Sequence, residues 1–198
     1  MDGGFVMRRL LVTMCAVVGL GMVATAASAK SDPFGDETRT AMKKLAGLFG
    51  KDNAKAALRP LVYGYIQLER DANLKDAKPL TASEKDYLKA FFPARLINKV
   101  GVVERNTTGI GNEFAGATTY GVDLIVIKKG QRSNGILKHE LVHVCQYDKY
   151  GVQGFSYKYA DQYVDADFVY KDIKFEKKAY TFQSSKTGPI ANYLGYCK

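Results

Sequence analysis

The sequence predicts an α+β fold that is mostly helical, with a small sheet placed ahead of its central helix. Three observations predict this class. Helical hydrophobic patterns lie before and after a central region of the 198-residue chain, the two strand candidates lie between residues 97 and 130, and no repeat or low-complexity linker divides the sequence. Helices and strands that are segregated along a chain, instead of alternating, are typical of α+β domains.

The first 29 residues have the three parts of a cleavable secretory signal. The positive pair Arg8-Arg9 precedes an uncharged apolar segment from Leu10 to about Ala24, and Ala27-Ser28-Ala29 is a small-x-small cleavage sequence. The apolar segment is short for a membrane anchor, which needs about 17 to 25 residues. We therefore expect residues 1–29 to be removed and residues 30–198 to form a single domain that is periplasmic or secreted.

Three helices are predicted between this leader and the sheet. They occupy residues 32–50, 54–61 and 81–92. In the first, Leu45 and Leu48 lie on one apolar face. The second is expected to break at Pro60, because proline removes a backbone donor and clashes with the preceding turn. The third begins with a capping box, in which Thr81 and Glu84 satisfy each other's backbone donors.

The sheet is predicted from two segments, INKVGVVE at residues 97–104 and TTYGVDLIVIKKG at residues 118–130. A loop rich in Gly and Thr lies between them. The central helix then begins at a Ser133 cap and is expected to end at Tyr150, with Gly151 as the stop residue. Further helical segments follow to about residue 185.

The two histidines of the chain both lie in this central helix. His139 and His143 are four residues apart, so they project from one side of the helix, and Glu140 follows the first of them. This is the HExxH pattern, in which two imidazoles bind one zinc ion and the glutamate acts as general base. We expect Zn²⁺ as cofactor, His139 and His143 as ligands, and Glu140 as the catalytic residue. The alternative is two ordinary helix histidines.

A catalytic zinc needs a third protein ligand and an open coordination position. With both histidines used, the third ligand must be a carboxylate; Lys149 stands where the metzincin arrangement has its third histidine. Asp148 is too close on the same helix to turn back toward the metal. Glu176, which opens a second helical segment, and Asp165 and Asp167 in the intervening stretch all remain candidates.

The segments KHELVHVCQYDKYG and FEKKAY resemble an uncharacterised bacterial family of zinc metallopeptidase type. Its pattern is H-E-L-x-H-V-x-Q-Y, an aromatic-rich helical stretch, and a glutamate followed by a basic residue and Ala-Tyr. The same type of domain is named as the core domain of extracellular contractile injection systems. The resemblance covers roughly Thr81 to Phe182. It implies a zincin-like fold of gluzincin type, with His139, His143 and Glu176 as zinc ligands and Glu140 as the base.

Supporting roles are predicted for several other residues. Gln146 lies near the metal face of the helix, and Asp165 or Asp167, where not a ligand, is a candidate to orient a histidine. Strand residues 118–127 are candidates to pair with the backbone of an extended substrate. Oxyanion stabilisation is assigned to one of three tyrosines: Tyr120, Tyr147 or Tyr180.

The two cysteines beyond the leader, Cys145 and Cys197, leave two states open. In an oxidising compartment they can form a disulfide that ties the C-terminal tail to the histidine helix. The alternative is a buried thiol at Cys145 and a loose one at Cys197. Cys145 faces away from the metal side of the helix, so neither state makes it a ligand.

Charge and motif together define the expected partners. The formal net charge of +9 comes from scattered lysines, which favours loose attraction to anionic envelope surfaces, and no nucleic-acid-binding motif is present. The sequence therefore predicts an exported zinc metallopeptidase with a peptide or protein substrate and no nucleic-acid partner. The alternative is a non-catalytic, metal-containing binding domain associated with the envelope or with an effector.

Overall fold

The architecture is known from a computed structural model that describes residues 35–108, 116–184 and 188–197. The predicted leader, residues 1–29, and most of the Gly/Thr-rich loop lie outside these ranges. The described residues are mostly helical and contain a small four-stranded sheet, which confirms the α+β prediction. Among them, no helix has both the length and the apolar character needed to cross a membrane.

Apart from a two-residue strand at Lys78–Pro79, which lies between two helices, the elements follow the predicted order of helices, sheet and helices. The helices in the described ranges are α1 Gly35–Phe49, α2 Lys51–Asn73, α3 Ala82–Leu88, α4 Ala94–Lys99, α5 Asn134–Asp165, α6 Lys174–Ser184 and α7 Ile190–Leu194. Short 3₁₀ turns occupy Leu74–Asp76 and Tyr170–Asp172. The strands are β1 Lys78–Pro79, β2 Gly101–Arg105, β3 Ala117–Thr119 and β4 Leu124–Lys128.

The sheet has the order β1-β2-β4-β3, so β3 is an edge strand. β2 and β4 are parallel, and β3 runs antiparallel to β4 with Thr118 opposite Val126. The segment predicted as one strand over residues 118–130 is therefore a hairpin. The chain reverses at Gly121, whose φ of 91° lies in the left-handed region that glycine adopts without strain.

The prediction that Pro60 breaks the second helix is wrong. α2 is one helix of 23 residues that contains Pro60 in its interior. Its side toward the body of the protein buries apolar residues at four-residue intervals: Ala54, Leu58, Val62 and Ile66. Burying a Leu, Val or Ile side chain contributes roughly 1.5 to 3 kcal/mol. The three such side chains together therefore outweigh the roughly 3 kcal/mol that an interior proline costs.

The predicted apolar face of α1 is also wrong in part. Leu48 is 70% exposed, and Met42, which the prediction did not place on that face, is the buried contact at 2%. The strand predicted to begin at residue 97 begins at Gly101 instead, because residues 94–99 form α4 and bury Ile97. The capping box at Thr81 and Glu84 is confirmed, with both reciprocal hydrogen bonds present.

α5 is the centre of the fold. Ser133 caps it as predicted, accepting a hydrogen bond from the backbone of Ile136. Every residue from Leu137 to Tyr147 is buried, so this stretch is enclosed by neighbours on all sides. Gly151 interrupts the helix at the predicted position, because its φ of 68° leaves helical geometry, and a second helical stretch then runs across this kink to Asp165. The disulfide is present and joins Cys145 of α5 to Cys197 in the tail.

Candidate metal centre

The first half of α5 and the first turn of α6 bring His139, His143 and Glu176 together. The Nε2 atoms of the two histidines are 3.2 Å apart. Oε2 of Glu176 lies 3.4 Å from Nε2 of His139 and 3.5 Å from Nε2 of His143. The three atoms therefore form a nearly equilateral triangle, and this group is the one in the described residues whose ligand atoms are spaced to share a metal ion.

The triangle has the dimensions of one face of a zinc coordination tetrahedron. Zinc binds imidazole nitrogen at about 2.0 to 2.1 Å and carboxylate oxygen at about 2.0 to 2.2 Å. At a tetrahedral angle, such bonds place neighbouring ligand atoms about 3.3 to 3.5 Å apart. The three observed separations, 3.2, 3.4 and 3.5 Å, match this spacing.

Hydrogen bonds at Nδ1 of both histidines leave the Nε2 atoms free to bind a metal within the triangle. Nδ1 of His139 lies 3.1 Å from Oε1 of Gln183, and Nδ1 of His143 lies 2.9 Å from Oε1 of Gln146. Gln146 is itself oriented, because its amide nitrogen donates to the carbonyl of Phe175. Since an amide oxygen can only accept, each Nδ1 carries the proton and each Nε2 of a neutral ring is an unprotonated ligand atom.

The two carboxylate oxygens of Glu176 have different surroundings. Oε1 accepts a hydrogen bond from the hydroxyl of Tyr159 at 3.0 Å. Oε2 is fully buried and accepts no hydrogen bond from any described residue. An unsatisfied buried carboxylate oxygen costs several kcal/mol as a rule. A cation within the triangle satisfies it, and the site therefore fits a bound metal ion.

The charges of the site also favour a cation. Burial alone would lower the pKa of His143, but the nearby Glu176 carboxylate raises it to about 9. Burial would raise the pKa of Glu176, but attraction to His143, and to His139 beside it, holds that pKa well below its usual range. The pocket thus attracts one positive charge, which can be a proton on His143 or a metal ion.

The two aspartates that the sequence left open as ligands lie elsewhere. Asp165 forms an ion pair with Lys55 at 2.7 Å, and Asp167 forms one with Lys51 at 2.7 Å. Both pairs join α5 and its C-terminal end to α2. The prediction that one of these aspartates orients a histidine is also wrong, because Gln146 and Gln183 occupy the two Nδ1 positions.

Glu140 lies beside the triangle and is held by the sheet. Its Oε2 accepts a hydrogen bond from the hydroxyl of Thr119, the last residue of β3, at 2.7 Å. Glu140 is only 4% exposed, and it lines a cavity together with His143 and Glu176. Glu140 therefore adjoins both the triangle and this cavity.

Of the three tyrosines predicted as oxyanion donors, Tyr180 is the one whose ring lies against a histidine of the triangle and is half exposed. The hydroxyls of Tyr120 and Tyr147 are buried and donate to the carbonyls of Thr108 and Thr119. Tyr180 is half exposed, and its ring centroid is 4.5 Å from that of His139. Burial, followed by the charges of Glu176 and Glu140, raises the pKa of Tyr180, so its hydroxyl keeps its proton at neutral pH.

Sequence reasoning missed three residues that shape the site: Thr119, Tyr159 and Gln183. Gln183 carried a usable signal, because it follows Glu176 by two helical turns and so lies on the same side of α6. Tyr159 is one of thirteen tyrosines, and nothing in its local sequence marks it. Thr119 reaches Glu140 only because the hairpin packs against α5, a contact between distant segments.

Comparison with known proteins reveals no relative. The chain matches no family model, no curated protein and no solved structure. The resemblance drawn from the motif thus stays a prediction, and the function must be inferred from the geometry of the chain itself.

Proposed function

We propose that the protein is an exported zinc metallopeptidase of gluzincin type. One observation carries the proposal: two imidazole Nε2 atoms and one buried carboxylate oxygen that accepts no hydrogen bond lie 3.2 to 3.5 Å from one another, which is the spacing of ligand atoms around one metal ion. Two imidazoles and one carboxylate suit zinc, whereas Ca²⁺ and Mg²⁺ prefer all-oxygen sites. His139, His143 and Glu176 are the proposed ligands.

The residues around the triangle fit peptide hydrolysis. Zinc bound there would act as a Lewis acid, which polarises a peptide carbonyl and lowers the pKa of a bound water molecule. Glu140 accepts a proton from that water as its oxygen bonds to the carbonyl carbon, and returns the proton to the amine nitrogen when the carbon–nitrogen bond breaks. Tyr180 donates a hydrogen bond to the carbonyl oxygen as it becomes negative.

One observation favours the second candidate, a metal-containing binding domain with little turnover. The four site residues are 3% to 6% exposed. Val62, Tyr65 and Ile66 of α2 close one side of the cavity that Glu140 lines. A polypeptide substrate must reach Glu140 past this wall. Metal content and turnover are therefore separate questions and need separate measurements.

The experiment uses residues 30–198 purified as one chain. Bound zinc per mole of protein is measured by inductively coupled plasma mass spectrometry. Cleavage of a mixed peptide library is followed by peptide mass spectrometry. We expect about one zinc per chain and cleavage by the wild type, zinc without cleavage in Glu140→Gln, and loss of both in Glu176→Gln. Asp165→Asn is the matched control, because it removes a carboxylate that pairs with Lys55 instead.

Each outcome separates the candidates. One zinc per chain with no cleavage of any library peptide supports the binding domain. Full zinc content in Glu176→Gln would overturn the choice of third ligand. Cleavage by Glu140→Gln at the wild-type rate would overturn the assignment of the base.

A further inference from the structure

A small cavity opens beside the proposed catalytic residues. It encloses about 70 Å³ and is bounded by Glu140, His143 and Glu176 at one end. Its other walls come from three elements that are distant in the sequence: α2, β3 and the second half of α5 beyond the Gly151 kink. The cavity touches the proposed base directly, so any group that fills it lies next to the reacting atoms.

The walls of this cavity are apolar because their hydroxyl groups are already engaged. The Tyr65 hydroxyl lies 3.2 Å from that of Tyr120, and the Tyr147 hydroxyl donates to a backbone carbonyl. The hydroxyl of Tyr159 donates to Glu176. What these side chains present to the cavity is mainly ring surface. Val62 and Ile66, which are 3% and 6% exposed, supply its aliphatic wall from α2.

The chemistry of the lining excludes charged occupants. An acidic group would lie against the carboxylates of Glu140 and Glu176. A basic group would have to give up its water among aromatic rings and would compete with the cation in the triangle. An uncharged aliphatic group has no hydrated charge to give up on entry, and it gains the free energy of burial against Val62, Ile66 and Phe155.

The volume sets the size of the occupant. An engineered cavity of about 150 Å³ in another protein admits a benzene ring. At about 70 Å³, this one is roughly half as large. Its size matches a branched aliphatic side chain better than an aromatic ring.

We propose that this cavity binds one aliphatic side chain of the peptide substrate, at a position adjoining the bond that is cut, and that Val62 and Ile66 set the size limit. This inference rests on the proposed function and names its substrate class: peptides with Val, Ile or Leu beside the cleavage site. It also assigns α2, which lies outside the segment that carries the metal ligands, a direct part in substrate choice.

The first test measures binding without turnover. The zinc-loaded Glu140→Gln protein, carrying ¹³C-labelled methyl groups on isoleucine and valine, is titrated with N-acetyl-leucinamide, N-acetyl-phenylalaninamide and N-acetylglycinamide. We expect the leucine compound to shift the methyl resonances of Val62 and Ile66, and the other two to leave them unchanged. Ile97 is the internal control, because it is buried in a hydrophobic cluster separate from the one that contains Val62 and Ile66.

The second test measures selectivity. Ile66→Ala enlarges the cavity, and we expect the ratio of kcat/KM for Leu against Phe beside the cut bond to fall tenfold or more. Val62→Ala tests the same wall with a smaller deletion, should Ile66→Ala unfold. Leu68→Ala on the same helix is the matched control, because Leu68 is 61% exposed and the ratio should not change.

The outcomes distinguish this inference from the function on which it rests. Methyl shifts with leucinamide and no cleavage of any peptide would support the cavity and overturn the peptidase. Cleavage without aliphatic preference, with no methyl shift, would overturn the cavity and leave the peptidase standing. Selectivity that changes equally in Leu68→Ala would also overturn the assignment to this wall.

Discussion

The hydroxyl oxygen of Thr119 lies 2.7 Å from Oε2 of Glu140 and 3.1 Å from the backbone carbonyl oxygen of the same residue. Thr119 is the last residue of edge strand β3 and is 5% exposed. The sheet thus holds the carboxylate that we propose as the base. A general base works only within hydrogen-bond reach of the proton that it accepts, so Thr119 is a positioning residue.

We expect Thr119→Val to lower kcat about 10- to 100-fold, in line with the loss of a supporting hydrogen bond. Valine keeps the branched shape but donates nothing, so KM and bound zinc should stay near the wild-type values. Thr119→Ser keeps the hydroxyl and should restore most of kcat. Steady-state kinetics on one cleaved peptide, with zinc content measured in parallel, checks the split. A variant that loses zinc instead of kcat would contradict the positioning role.

Removing the acceptors of the two Nδ1 protons should weaken metal binding. We expect Gln146→Leu and Gln183→Leu each to lower zinc affinity about 10- to 100-fold, because the rings lose the bonds that fix their tautomer and orientation. The affinity is measured by competition with a chromogenic chelator. Gln153→Leu is the control, since Gln153 is exposed on α5 and bonds Tyr157. Equal affinities in all three variants would show that the hydrogen bonds do not support the metal.

The sequence predicts the two histidine ligands because they lie close together along the chain. His139 and His143 are one helical turn apart, so a helix is enough to bring their side chains together. Glu176 needs tertiary structure: α6 must return against α5 after the kink at Gly151. Its competitors Asp165 and Asp167 were excluded only by their ion pairs with α2. No local pattern encodes those contacts.

The fold shows the same division. The capping box of Thr81 and Glu84 and the Ser133 cap are short-range patterns, and the structure contains both. At Pro60 the local rule failed, because the buried face of α2 is a property of the whole packed domain. Local propensity is a weak prior that tertiary packing overrides.

The disulfide between Cys145 and Cys197 should contribute strongly to stability. It closes a loop with a sequence separation of 52 residues, for which the chain-entropy relation gives about 4 kcal/mol. We expect Cys197→Ala, or the wild type in reductant, to lose most of this free energy of unfolding in urea titrations. The double variant Cys145→Ala/Cys197→Ala should not respond to reductant. A wild-type midpoint that reductant does not move would contradict the prediction.

Acid should remove a specific contribution from Glu84. A hydrogen bond from Arg132, together with those from Thr81, outweighs burial and holds the pKa of Glu84 below its ordinary value. A carboxylate whose pKa is depressed in the folded state stabilises it above the unfolded pKa, about 4.3, and loses that effect as the pH falls through the folded pKa. At pH 7 we expect Glu84→Gln to be less stable by about 1 to 2 kcal/mol, since the variant weakens a cap and a partly buried ion pair. The difference between the two proteins should shrink as the pH falls below about 4, as measured by urea unfolding at each pH.

Asp86→Asn is the control. It removes an exposed ion pair with Lys89 and should lower the free energy of unfolding by less than about 1 kcal/mol at pH 7. A difference for Glu84→Gln that stayed constant down to pH 3 would show that the charge of Glu84 contributes nothing.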